Sequence, residues 1–265
     1  MSALLSPPSL LASLNQFYRR NGIHSLDFRC DWKEACRAAA GERFTGPKAS
    51  LVGRQYELGV LPRILFLSLD SGKASQDPED RTPEAVRAGE EQNPATGRHK
   101  GQHWYQTDEF ALIVLSRFQP DLTIDDAGAY TARVNAAKCC ANRKGNRKAP
   151  RILFGNCQQY LANELQLLDP AIIVTQANEA WEAMSLLSGV CLTNGDYGHV
   201  GVCAANEHPI LWLHTYHPSC FGRYWPQRKA CGDWELYADV VKNSFDGTSP
   251  HPIRIREAVA TLISR

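Results

Sequence analysis

The run Arg63–Asp70 (RILFLSLD) limits the fold more than any other stretch of this 265-residue chain. It is almost wholly apolar, lies between Pro62 and Gly72, and reads as a strand buried on both faces. A strand covered twice belongs to a parallel sheet with helices above and below it. Ala171–Gln176 (AIIVTQ) and Pro209–Tyr216 (PILWLHTY) have the same character, and Thr131–Lys138 reads as a further strand. Helical patterns fall around them, over 9–20, 31–40, 110–118, 157–168, 178–187, 234–245 and 253–264. The alternation predicts a single α/β domain over 1–265, a three-layer αβα sandwich around a central, mainly parallel sheet. A chain of this length builds such a core without disulfides.

Residues 73–106 interrupt the pattern. They are polar, rich in Gly, Pro, Glu and Arg, and too long for an ordinary connection, so a functional lid or insertion is expected there. No apolar run approaches the roughly 18 residues of a membrane span, and the N-terminus has no signal-peptide pattern. Nine cysteines in such a chain predict a reducing, cytoplasmic setting, with free thiols, a metal or an iron–sulfur cluster.

A net charge of +1 conceals an uneven distribution. Between Arg133 and Arg151 stand Lys138, Arg143, Lys144, Arg147 and Lys148, with no acidic residue among them. Arg223, Arg228 and Lys229 are interleaved with Phe221, Tyr224 and Trp225. Such segments are either solvated faces or phosphate-binding patches.

Ligands of open α/β sheets bind beyond the carboxyl ends of the strands. The first apolar strand ends in Ser68–Leu69–Asp70–Ser71–Gly72, and the last leads into His217–Pro218–Ser219. An acid and an imidazole leaving two strands of one sheet would face a shared crevice.

Between these lie Asn135–Ala136–Ala137–Lys138–Cys139, then Cys157–Gln158–Gln159–Tyr160–Leu161 with Glu164–Leu165, then Pro170–Ala171–Ile172–Ile173–Val174. The whole ordered set resembles the uracil-DNA glycosylase superfamily, above all its iron–sulfur branch. That resemblance implies a DNA-binding enzyme that flips a pyrimidine from the helix and hydrolyses its bond to deoxyribose. Asp70 would orient water and stabilise positive charge on the sugar, and His217 would stabilise the departing base. Asn135 would pair with the flipped base. Trp104 or Tyr105 would stack on it. Ser219, Phe221, Arg223 and Tyr224 would enter the duplex, and Arg143, Lys144 and Arg147 would meet phosphates.

The branch also implies a structural 4Fe–4S cluster held by Cys30, Cys36, Cys139 and Cys157. The spacing from Cys30 to Cys36 is wider than the usual Cys-x-x-Cys, and Cys140 is an alternative to Cys139. Zinc or free thiols are the competing readings. Two departures bear on substrate. Gly72 stands where the best-known uracil enzymes have a Tyr that blocks the pyrimidine C5 side. Leu69 stands where the branch often has Glu. An open C5 side suits a larger pyrimidine, such as glucosylated hydroxymethylcytosine of bacteriophage DNA, and hence antiviral defence. Ordinary uracil repair and a catalytically silent DNA-binding module are the alternatives. One flipped-base pocket suits a monomer.

Overall fold

The computed structural model describes residues 9–72, 75–141, 149–187, 190–195, 198–203, 208–215, 217–218 and 233–263. Its centre is a seven-stranded sheet in the order β4–β6–β5–β8–β11–β10–β9. The strands are β4 (Leu51–Val52), β5 (Ile64–Asp70), β6 (Thr131–Ala137), β8 (Ile172–Gln176), β9 (Val190–Gly195), β10 (Gly198–Cys203) and β11 (Ile210–Thr215). The inner four, β6, β5, β8 and β11, run parallel. The outer three pair antiparallel. Two small ribbons stand apart: β1 (Ile23–His24) with β2 (Asp27–Phe28), and β3 (Phe44–Thr45) with β7 (Cys140–Ala141).

Strand periodicity sends alternate residues to two separate cores. On one face Ile64, Phe66, Ile172, Val174, Leu211 and Leu213 pack against α5 (His103–Leu115) and the helices Asp233–Ser244 and Ile255–Ile263. On the other, Leu65, Leu67, Ala132, Val134, Ile173 and Trp212 meet α1 (Leu10–Arg20), α7 (Arg151–Leu168) and α8 (Asn178–Leu186). The predicted αβα sandwich is the observed architecture. The helix α2 (Lys33–Ala40) and the short turns α3 (Arg54–Leu58) and α6 (Ile124–Ala127) fill its edges. No described helix is long and apolar enough to cross a membrane.

Three stretches differ from the sequence reading. The polar 73–106 region is no single long loop. It carries a 3-10 turn at Glu79–Arg81, the helix α4 (Pro83–Glu91), a second turn at Ala95–Gly97 and the start of α5. Thr82 caps α4 by accepting from the Ala85 N–H, and Pro83 sits in the first turn, where its missing donor has no consequence. Helix α7 begins at Arg151, well before Cys157. The strands at 190–195 and 198–203, β9 and β10, pair antiparallel, which the apolar pattern alone did not disclose.

Candidate active site

The parallel strands align their last residues in register. Ser68 pairs with Asn135, and Thr215 with Gln176. All four fall on the α5 face, because they continue the alternation of Phe66, Arg133, Val174 and Leu213. The apolar floor therefore gives way at the carboxyl ends to a polar row, Asn135–Ser68–Gln176–Thr215. Ser68 Oγ donates to Gln176 Oε1 at 2.6 Å, and Gln176 Nε2 donates to Thr107 Oγ1 at 3.1 Å. These bonds leave few buried polar atoms of the row unsatisfied, as burial requires.

Asp70 ends β5 just above this row. Its Oδ1 accepts from the Gly72 N–H at 2.7 Å and its Oδ2 from the Ala149 N–H at 2.8 Å. Burial raises its pKa from the usual carboxylate value, and the two backbone donors oppose that shift without cancelling it. Gly72 adopts a left-handed φ of 55°, and a Cβ built there would meet nothing within 4 Å. Leu69 alternates toward the side of Leu65 and Leu67, so the structure does not bring it together with Asp70 and Asn135.

His217 lies beyond β11 and stacks on His103 of α5, with centroids 4.7 Å apart and planes at 12°. His103 Nε2 donates to Gln176 Oε1 at 3.1 Å, which fixes its tautomer, since that oxygen only accepts. Burial lowers His217 to about 4. Burial, then His217, lowers His103 to about 3. Two stacked imidazoles in a dry site are thus both neutral at physiological pH. The sequence reading singled out neither His103 nor Gln176 for a role. Gln176 had a signal, as the polar residue that follows two apolar ones of the same parity on its strand, Ile172 and Val174, whereas His103 opens a helix and had none.

A cleft of about 540 Å³ opens beside the row, lined by Asn135, Trp104, Arg133, Lys48, Arg81 and Gln102 among others. Its wall comes from the 79–104 region, and Trp104 lines it while Tyr105 does not. Arg133 sits 4.8 Å from the Trp104 ring centroid. Burial, then the nearby Arg81 and Arg133, lowers the Lys48 pKa. Arg81 is buried and its guanidinium reaches Pro47 O, Ser75 O, Gly46 O and Ser71 Oγ, joining the Asp70 loop to the cleft wall.

The basic run partly dissolves. Arg133 is buried in ion pairs with Asp108 and Glu90, and Lys138 is buried against Glu164. Arg151 is exposed and pairs with Glu182. The first two are internal counter-charges rather than phosphate contacts. Arg143, Lys144 and Arg147 lie outside the described residues, as do Ser219, Phe221, Arg223 and Tyr224.

The four expected cysteines converge behind β6. Cys36 and Cys139 share a small cluster with Phe28, Phe44 and Leu153, and the Lys138 N–H points at Cys157 Sγ at 3.4 Å. Cys30 Sγ meets Tyr160 Oη at 3.3 Å. Burial pushes the Cys139 thiol well up, and the sulfurs of Cys157, Cys36 and Cys30 add to the shift. Cys157 rises to about 11, again chiefly by burial. Cys140 faces the other way and donates to Gly72 O at 3.0 Å. The sulfurs nevertheless leave room between them. The one trio of metal-capable atoms within 4.8 Å of one another among the described residues is elsewhere. Tetrahedral zinc would draw thiolates to about 3.8 Å, given Zn–S bonds near 2.3 Å. Four soft donors at wider spacing fit a cluster better than a single ion.

A search of the curated proteins matched none. The model of the uracil DNA glycosylase superfamily matches residues 92–240, more than half of the chain. That stretch takes in His103, Asn135, Cys139, Cys157, Gln176 and His217, while Asp70, Gly72, Cys30 and Cys36 precede it. The histidine pair and most of the polar row fall within the matched stretch, the cleft lies partly before it, and the chain belongs to the uracil-DNA glycosylase superfamily.

Proposed function

We propose that the protein is a monofunctional DNA glycosylase that extrudes a C5-substituted pyrimidine and hydrolyses its N-glycosidic bond. The observation that carries this reading is a half-buried carboxylate, Asp70, held by two backbone donors at a strand end among the described residues, with Asn135 on the neighbouring strand and His217 beyond a third. In the reaction the C1′–N1 bond breaks and its electron pair leaves with the base. Asp70 stabilises the positive charge left on the sugar and takes a proton from the water that adds to C1′. His217, neutral, donates a hydrogen bond to the departing base, which then gains its proton from solvent. Asn135 pairs with the base edge, and Trp104 offers a stacking surface.

The substrate class rests on space. The cleft exceeds what a bare pyrimidine fills, its lining is rich in donors, and Gly72 leaves the C5 side open. A hydroxyl-rich substituent such as the sugar of glucosylated hydroxymethylcytosine suits a roomy cleft lined by Lys48, Gln102 and Asn135 better than a methyl group does. The four cysteines are read as ligands of a structural 4Fe–4S cluster, which when bound would tie the N-terminal segment to the end of β6 and to α7. Cys36→Ser should abolish bound iron and the broad visible absorbance, and Cys140→Ser should keep both.

The deciding experiment is alkali-revealed strand cleavage with purified protein on single-stranded and duplex DNA. The substrates carry uracil, thymine, hydroxymethylcytosine or glucosylated hydroxymethylcytosine, with Asp70→Asn as control. Release of the glucosylated base that disappears in the variant is expected. Release of uracil alone would return the protein to ordinary base excision. Binding without release from any substrate would make it a silent DNA-binding module.

A further inference from the structure

At the opposite, amino-terminal end of the sheet lies a cluster that the glycosylase reading does not use. Asp169 follows α7 and precedes β8, His208 precedes β11, and His251 lies between the last two helices. One ligand atom from each lies within 4.8 Å of the others, and all three side chains are half-buried. From these positions we infer that Asp169, His208 and His251 form a binding site for one transition-metal ion of the zinc type.

Two features support the site independently of proximity. The first is the setting of His208, whose Nε2 lies 2.7 Å from Asp169 Oδ1 and whose Nδ1 lies 3.3 Å from Pro209 O. Both partners are acceptors, so a neutral ring satisfies only one of them. With the proton on Nδ1 the ring donates to a backbone carbonyl, the usual arrangement behind a metal-bound histidine, and its Nε2 lone pair faces a carboxylate oxygen. A cation bound by both atoms, once they part slightly, satisfies all three groups. The second is His251 Nδ1, a buried nitrogen with no hydrogen-bond partner among the described residues.

The donor set selects the ion. Two imidazoles and one carboxylate suit zinc, nickel or copper, whereas calcium and magnesium require oxygen-rich cages. Metal–ligand bonds near 2.0–2.2 Å place donors about 3.3 Å apart, so only small side-chain movements are needed. Arg63 is close, but it bonds the other carboxylate oxygen, Asp169 Oδ2, at 3.3 Å, and Tyr56 O and Glu57 O share its remaining donors. It orients the carboxylate without occupying the ligand oxygen. Asp169 adopts the left-handed conformation, φ 48°, that ends α7, and this turn sets its side chain at the floor of the sheet. A bound ion would fasten the segment before the last helix to the floor of the sheet, far from Asp70.

The test uses the protein as purified, washed with chelator and titrated with zinc chloride, alongside His208→Gln and His251→Gln. One equivalent should bind, raise the Tm of the wild type, and lose more than roughly 100-fold in affinity in each variant. Cobalt(II) should give ligand-field bands without thiolate charge transfer, which separates this site from the cysteines. No zinc uptake by the wild type, uptake unchanged in both variants, or a thiolate spectrum would each overturn the assignment.

Discussion

Two carboxylates on the α5 side of the sheet, Asp108 buried and Asp70 half-buried, are held in contrasting ways. Asp108 meets Arg133 and Arg98, and Glu90 completes the network by pairing with the same two guanidiniums. Among the described residues, Asp70 meets the N–H groups of Gly72 and Ala149 and no counter-charge. Burial pushes both carboxyls up, Asp108 to about 6 even beside its arginines. The difference lies in what opposes the negative charge. At Asp108 it is cancelled by full positive charges, which locks α4, α5 and β6 together and makes the cleft wall a rigid body. At Asp70 it is only oriented by dipoles, so a net negative charge remains available to a developing cation. A paired carboxylate builds a scaffold, and one held by dipoles retains a field to act with.

The sharpest way to break this comparison is Asp70→Asn. Base release should fall about 10²–10³-fold, the usual scale for one preorganised electrostatic contact, with the far-ultraviolet dichroism unchanged. Unaltered release would remove Asp70 from the chemistry. Arg133→Met should act the other way round. It strips Asp108 and Glu90 of a buried partner and should lower unfolding stability in urea by about 3 kcal/mol. A loss under about 1 kcal/mol would mean that Arg98 alone neutralises the wall. Trp104→Ala should weaken substrate binding by about 1–3 kcal/mol, seen in KM more than in kcat. An effect on kcat alone would give the ring a role in positioning His103, on which it leans at 4.5 Å.

The smallest expected effect is an absence. His217 sits at about 4, so it is neutral above that pH, and no break in the rate should appear at the ordinary histidine value of 6.5. Asp70 must be ionised to act, and its folded pKa is raised from 3.8. Activity is therefore full above that raised value and declines as pH falls through it, starting higher than for an exposed aspartate. A break near 6.5 that disappears in His217→Gln would make His217 a proton donor instead.

The inner strands were legible because apolar runs flanked by Pro and Gly have one reading, and so was the place of Asp70 at the end of one of them. The first turns of α5 were not. Gln106, Thr107 and Asp108 are buried, so a helix that is polar in sequence is internal in fact. Arg133 and Lys138 looked like a solvated basic face because their partners, Asp108 and Glu164, stand on other elements. Charge neutralisation across elements leaves no local trace. His208 and His251 are far apart in sequence and carry no motif, so only the folded chain discloses their pairing.

Arg81 has a further consequence. Its guanidinium gathers carbonyls from Gly46, Pro47 and Ser75 and the hydroxyl of Ser71, four partners on two segments that are distant from each other in sequence. None of these segments can loosen alone without stranding a buried cation, so they order together or not at all. The loop that carries Asp70 is thereby coupled to the wall of the cleft. On the reading proposed above, a base would meet a preset shape at this wall, and discrimination between substrates would become a question of fit at first contact.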